Sequence, residues 1–189
     1  MTKLIEYYDL ADSDRTDPLM LVVRNLKNEQ KRLSELKSQS QGYLVPIDKK
    51  GKIEVGFDPD RSEEIHKLAM DIEASRTSIK RIEDKIASLD AILEKHKIEL
   101  PLLVKLHEDL GLNRRNLKED QAKIDAILAN LMIVRPDEAK AKQNPDYIRY
   151  AKIAKESDAM RVPLIVKLQK VIEEIEVILN ATESEAKDR

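Results

Sequence analysis

Cysteine and tryptophan are absent from this chain of 189 residues, Phe57 is its single phenylalanine, and only four glycines punctuate it. The absence of thiols excludes disulfides, a thiolate nucleophile and cysteine-type zinc sites, and is compatible with a reducing compartment. Aromatics make up 3 % of the residues, too few to fill the centre of a rounded core, where each ring buries a large area at small entropic cost. The scattered glycines Gly42, Gly51, Gly56 and Gly111 match neither a phosphate-binding loop nor a dinucleotide fingerprint. No run approaches 18 apolar residues, and the first ten have no basic flank ahead of an apolar stretch. A membrane span and a signal peptide are therefore not expected. The 34 basic and 36 acidic side chains leave a net charge of −2, too small to steer the chain toward nucleic acid or membrane. The expected location is the cytoplasm or the interior of a viral particle.

What the chain has in quantity is charge, 37 % of all residues, and Ile, Leu, Val and Ala. Aliphatic residues set among Glu and Lys, with little glycine, are the signature of long helices and coiled coils. Residues 1–17 read as an arm, with five acidic and two basic side chains around Leu4, Ile5, Tyr7, Tyr8 and Leu10. Asp17 and Pro18 then mark a helix start, because the carboxylate caps exposed amides and proline at the first helical position loses no available hydrogen bond. That helix is expected to run to about Ser40, with Leu19, Val22, Leu26, Leu33 and Leu36 inward and Gly42 as its stop.

Between residues 43 and 57 the period changes. Tyr43, Val45 and Ile47 alternate, then Ile53, Val55 and Phe57, on either side of a turn over residues 48–51. This is the pattern of a β-hairpin. Two strands alone are marginal in water, so the apolar face is expected to lie on helices, on another hairpin or on a partner.

The strongest periodicity begins near Ser62. Ile65, Leu68, Ile72, Ser75, Ile79, Ile82, Ile86, Leu89, Leu93, His96 and Leu100 follow spacings of three and four without a slip. They predict one helix of roughly 38 residues, on the order of 55 Å long, with a seam narrow enough for one or two partner helices. Pro101 interrupts it, as a kink or as the start of a new helix. Leu102, Leu103, Val104, Leu106 and Leu110 are apolar on more than one face, and Gly111 followed by Leu112 reads as a helix stop. A further helix is expected from about Arg114 to Val134, ended by Arg135 and Pro136 and followed by a polar connector over 137–143. Asn144, Pro145 and Asp146 open the last helix, expected to reach about Asn180. Its inward residues should be Tyr150, Ala154, Leu164, Leu168, Val171, Ile175 and Ile178, with a kink at Pro163 and a frayed polar tail.

Catalytic chemistry finds little support. Glu63 and His66 form one Glu-x-x-His pair, but a carboxylate-bridged metal site needs a second such pair, and neither His96 nor His107 has a glutamate three residues before it. His96 and Ser75 occupy seam slots, where polar residues set register. Nucleophilic catalysis needs Ser or Thr beside an oriented base in a pocket, and narrow seams leave few pockets. The expectation is no enzyme, no cofactor and no metal. Arg24, Lys27, Lys31 and Arg32, with Lys37 one turn on, give the first long helix a basic face. Such a face can hold phosphates, but aromatics to stack bases are not interleaved with it, and a solvated face is favoured over nucleic-acid contact.

The architecture expected from these signals is all-α: an elongated coiled-coil hairpin or bundle of four to five helices with one small β-hairpin at about 43–57. Its organisation is an arm over 1–17, a helical body over 18–143 and a C-terminal long helix over 144–189. The helix, β-hairpin, helix order across residues 18–99 resembles, in layout, a prefoldin subunit, a helical chaperone with hairpins at the base of a two-helix coil. That resemblance covers under half of the chain and implies a holdase role. The leading functional expectation is a non-enzymatic structural or assembly protein, with a bacteriophage virion or scaffolding component as the specific case. Its partners would be proteins, in a homo-oligomer or a larger assembly. The expected contact residues are Leu4, Ile5, Tyr7, Tyr8, Tyr43, Phe57, Ile65, Ile72, Ile79 and Ile86. A nucleic-acid-associated coiled coil and a prefoldin-like chaperone are the alternatives.

Overall fold

The computed structural model describes residues 2–10, 16–49, 51–134 and 136–187, with the side chains of 49 and 182–187 left aside. Residues 11–15 of the expected arm, Lys50 of the turn, Arg135 and the end of the tail lie outside the described residues. The elements are α1 (Lys3–Leu10), α2 (Pro18–Gln41), β1 (Leu44–Lys49), β2 (Lys52–Phe57), a single 3-10 turn (Pro59–Arg61), α3 (Ser62–Lys95), α4 (Leu103–Val134), α5 (Glu138–Ala141) and α6 (Pro145–Lys187). The fold is all-α with one small antiparallel hairpin, as the periodicities predict. The chain divides into two compact units, Met1–Ala91 and Ile92–Arg189.

In the first unit, α2 starts where the cap chemistry places it. Asp17 is nearly fully buried, and its side chain accepts from the Leu19 amide at 2.9 Å. Leu19, Met20, Val22, Val23 and Leu26 are buried, whereas Leu33 and Leu36 are half-buried. α3 returns antiparallel to α2, with the buried Ser75 hydroxyl 3.5 Å from the Glu29 carbonyl. The arm contributes a helix: Leu4 is fully buried, and its amide donates to Asp90 Oδ1 at 3.0 Å.

α3 is one unbroken helix of 34 residues, slightly shorter than expected. It ends in a Schellman motif, where Ile98 N donates to the Leu93 carbonyl at 2.9 Å and Lys97 N to the Glu94 carbonyl at 3.0 Å. Lys97 takes the left-handed conformation, φ 52°, that the motif demands, and Ile98 and Leu93 are both buried beside it. His96 and Leu100, expected to continue the seam, therefore lie past the helix end, and Leu100 is exposed. Pro101 neither kinks nor begins a helix; it is buried in the connector before Leu103.

In the second unit, α4 and α6 run side by side. Their antiparallel sense follows from Arg114 meeting Gln169 at 2.9 Å and His107 meeting Glu176 at 3.2 Å. Gly111, expected as a stop, lies inside the continuous α4. A glycine costs a helix about 1 kcal/mol, less than the burial of Leu103, Leu106 and Leu110 contributes at about 1.5–3 kcal/mol each. Tyr150 and Leu164, expected inward, are exposed, whereas Ala154, Leu168, Val171 and Ile175 are buried. The helical backbone of α6 continues past the expected end at Asn180 to Lys187.

Two stability outcomes follow from these local features. Asp17→Ala removes a buried cap and should lower unfolding free energy by about 1–2 kcal/mol, read as a fall in the urea midpoint at unchanged slope. Gly111→Ala should raise it by about 0.5–1 kcal/mol, because a Cβ at that position meets nothing within 4 Å. A destabilised Gly111→Ala would mean that the helix is interrupted there.

Candidate functional site

The β-hairpin is the most distinctive surface among the described residues. Its register pairs Leu44 with Phe57, Pro46 with Val55, Asp48 with Ile53 and Lys49 with Lys52. Gly51, at φ 82°, completes the turn, and its amide donates to Asp48 Oδ1 at 2.8 Å. Directly paired residues share a face of the pleat. Leu44, Pro46, Ile53, Val55 and Phe57 thus form one face, and Val45, Ile47, Glu54 and Gly56 lie on the other. The two alternating rows expected to make a single apolar face are therefore split between opposite faces. Turn length decides this, because a two-residue connection pairs odd positions of β1 with even positions of β2.

The first of these faces is open to solvent. Ile53 is 79 % exposed, Val55 74 %, Phe57 51 % and Leu44 42 %. On the opposite face the Ile47 side chain lies over Gly56, so close that a Cβ there would stand 2.7 Å from Ile47 Cδ1. Tyr43 ties the hairpin base to the start of α3: its hydroxyl donates to Glu64 Oε2 at 3.1 Å, and its ring lies 4.4 Å from the Arg61 guanidinium. Arg61, then Tyr43, hold the Glu64 carboxyl below the usual carboxylate range by hydrogen bonding.

The other expected contact residues are differently placed. Leu4 and Ile86 are buried within the first unit. Ile5, Tyr7, Tyr8, Tyr43, Ile65, Ile72 and Ile79 are half-buried. Along the basic face of α2, Lys27 pairs with Asp9 and lies 4.9 Å from the Tyr8 ring centre, Lys31 meets Glu35 at 3.9 Å, and Arg32 meets Glu29 at 3.5 Å. Arg24 is exposed. Three of the four expected nucleic-acid contacts thus have a carboxylate beside them, which dilutes the field a phosphate would meet.

Two polar constellations in the second unit were not anticipated. His96, with its side chain 12 % exposed, brings Nε2 to 3.0 Å from Glu174 Oε2, and Lys95 Nζ lies 3.0 Å from the other oxygen. His96 first, then Lys95, hold the Glu174 carboxyl below its ordinary range by hydrogen bonding. Between α4 and α6, Ser157 donates to Asp120 at 2.7 Å, while Arg161 donates to Ser157 at 2.9 Å and to Asn113 at 3.2 Å. The spacing of seven between Asn113 and Asp120 was the available signal, since it sets two polar residues on one helix face. Ser157 thus donates to Asp120 while its own oxygen accepts from Arg161, so the hydroxyl is held on both sides.

A cleft of about 470 Å³ lies between the end of α4, α5 and the start of α6, and one of about 260 Å³ lies beside the connector before α4. Among the described residues, neither lining contains serine, threonine or histidine, and in the second Lys105 is paired with Asp109 at 3.1 Å. Among the described residues, no three His, Asp or Glu side chains converge as metal ligands, and no helix is long and apolar enough to cross a membrane. Comparison with protein-family models, with curated proteins and with solved structures finds no match for this chain.

The Glu174 cluster sets a pH dependence. A depressed folded-state pKa contributes stability above the unfolded value of about 4.3, and that contribution is lost as pH falls through the folded value. Acidification below about pH 4.5 should therefore lower the urea midpoint of the native chain more than that of Glu174→Gln. Identical acid limbs for the two proteins would exclude the contribution.

Proposed function

We propose that this chain is a non-enzymatic structural protein that acts by assembly, through contacts with protein partners. The observation that carries the reading is the open hairpin face, where Leu44, Ile53, Val55 and Phe57 present contiguous side chains to solvent. Contiguous exposed apolar surface is costly in water and marks interaction sites more often than scattered single residues do. The helices of the first unit support it, since α2 and α3 leave the hairpin at the end of a stiff antiparallel pair, tied down by Tyr43, Arg61 and Glu64. A virion or scaffolding component is one setting for such a part.

The same face favours a holdase as the second reading, because it offers client chains an apolar surface. Nucleic-acid contact has less support, given the carboxylates paired along α2. The assembly reading expects a solution mass by light scattering well above the 21.7 kDa of one chain. A strict monomer at every concentration would remove it. Suppression of client aggregation by such a monomer, lost on Phe57→Ser, would establish the holdase in its place.

A further inference from the structure

The two edges of the hairpin are not equivalent. Residue pairs in an antiparallel ladder alternate between those that exchange both backbone hydrogen bonds and those that turn their groups outward. The Asp58 amide donates to the Tyr43 carbonyl at 3.0 Å. With the register fixed by Lys49 opposite Lys52, Leu44, Pro46 and Asp48 turn their backbone groups to one edge, and Ile53, Val55 and Phe57 turn theirs to the other. The β1 edge is interrupted by Pro46, which has no N–H to offer a neighbouring strand. The β2 edge carries N–H and C=O groups at all three of its outward positions, and their side chains form most of the exposed apolar face. It is a template for another strand.

We propose that a second copy of this chain adds to that edge, β2 against β2 in antiparallel sense about a two-fold axis at Val55, making one four-stranded sheet. The inference rests on the assembly role proposed above and names its partner. Backbone parity sets outward-facing residues opposite one another in the bonded pairs, which admits an axis at any residue from Ile53 to Phe57. An axis at Glu54 sets that carboxylate against its own copy and Phe57 against Gly51, and an axis at Gly56 sets Glu54 against Asp58 and Ile53 against Pro59, so like charges meet in both. An axis at Phe57 sets Val55 against Pro59 of the second copy, which lacks the donor. An axis at Ile53 sets Val55 against Gly51 and Phe57 against Lys49. The Val55 axis sets Ile53 against Phe57, Glu54 against Gly56 and Lys52 against Asp58, so that apolar meets apolar and opposite charges meet at both ends. Five apolar side chains from each copy then line one continuous face, and the two strands that are marginal alone become four.

The absence of cysteine makes the register directly testable in the full chain. Bonded partners in an antiparallel pair lie about 5.5 Å apart between Cα atoms, within disulfide range. On mild oxidation, Val55→Cys should form a covalent dimer. Ile53→Cys alone should not, because the two copies of position 53 are roughly 13 Å apart along the strands. An equimolar mixture of Ile53→Cys and Phe57→Cys should cross-link as a heterodimer. Lys52→Asp should weaken dimerisation about tenfold, and Asp58→Lys in the same chain should restore it. Val55→Pro removes the central donor without touching the β1 ladder and should return the solution mass to one chain. The pairing is overturned if Val55→Cys fails to cross-link or if Ile53→Cys links equally fast. A multimer unchanged in mass by Val55→Pro overturns this pairing and leaves the assembly role standing, whereas a monomeric native chain removes both.

Discussion

A helix with its aliphatic residues confined to one narrow stripe gains little from folding alone, and it is stable in water only when a neighbour covers that stripe. Nearly everything in this chain answers that constraint. In the first unit, Ser75 of α3 meets the Glu29 carbonyl of α2, and the short α1 buries Leu4 and joins α3 through the Leu4 amide and Asp90. In the second, α4 and α6 run antiparallel with Leu106, Leu110, Leu168, Val171 and Ile175 buried. With almost no aromatic residues, each seam is built from branched aliphatics, which fill a space one side chain deep. Burial is accordingly uneven: Leu19, Leu89 and Leu93 are fully buried, while Leu33, Leu36 and Ile72 remain half-open.

The long helices α2, α3 and α6 were legible from spacing, and the starts of α2 and α6 from caps, whereas α1 was read as an arm and the start of α4 was placed near Arg114 instead of Leu103. Asp17 with Pro18 and Asn144 with Pro145 place the first turns correctly, because capping depends on a few adjacent atoms. Helix ends were less legible. α3 stops in a left-handed residue that is lysine rather than glycine, so residue type gave no warning, while Gly111 gave a false one. In both places burial over several turns outweighs a local preference worth about 1 kcal/mol. The inward face of α6 was partly misjudged for the same reason: Tyr150 and Leu164 are apolar by type, but their angular position is outward.

At the hairpin, composition revealed the strands but not which residues share a face. Alternation within a strand says that Tyr43, Val45 and Ile47 lie together; it says nothing of which row in β2 joins them. That depends on whether the turn holds an even or an odd number of residues, a one-residue distinction that moves every side chain across the sheet. Once counted, it turns an expected single apolar face into two unlike ones: that of Val45 and Ile47, buttressed by Tyr43 and by Ile47 over Gly56, and that of Ile53, Val55 and Phe57, which is bare. The polar constellations stayed hidden because their members lie far apart in sequence, and only the packing of the second unit brings Asp120 to Ser157 or His96, just past the end of α3, to Glu174.

The Asn113, Asp120, Ser157 and Arg161 network also restrains sliding of α4 along α6. An aliphatic seam is nearly as well satisfied after a shift of one helical turn, about 5.4 Å, because leucine replaces leucine. A donor and acceptor set is not: such a slip would carry Ser157 away from Asp120 and leave a part-buried carboxylate without its hydroxyl. The network therefore acts as a vernier on an otherwise smooth rail, and α4 and α6 have one alignment where their aliphatic residues alone would permit several.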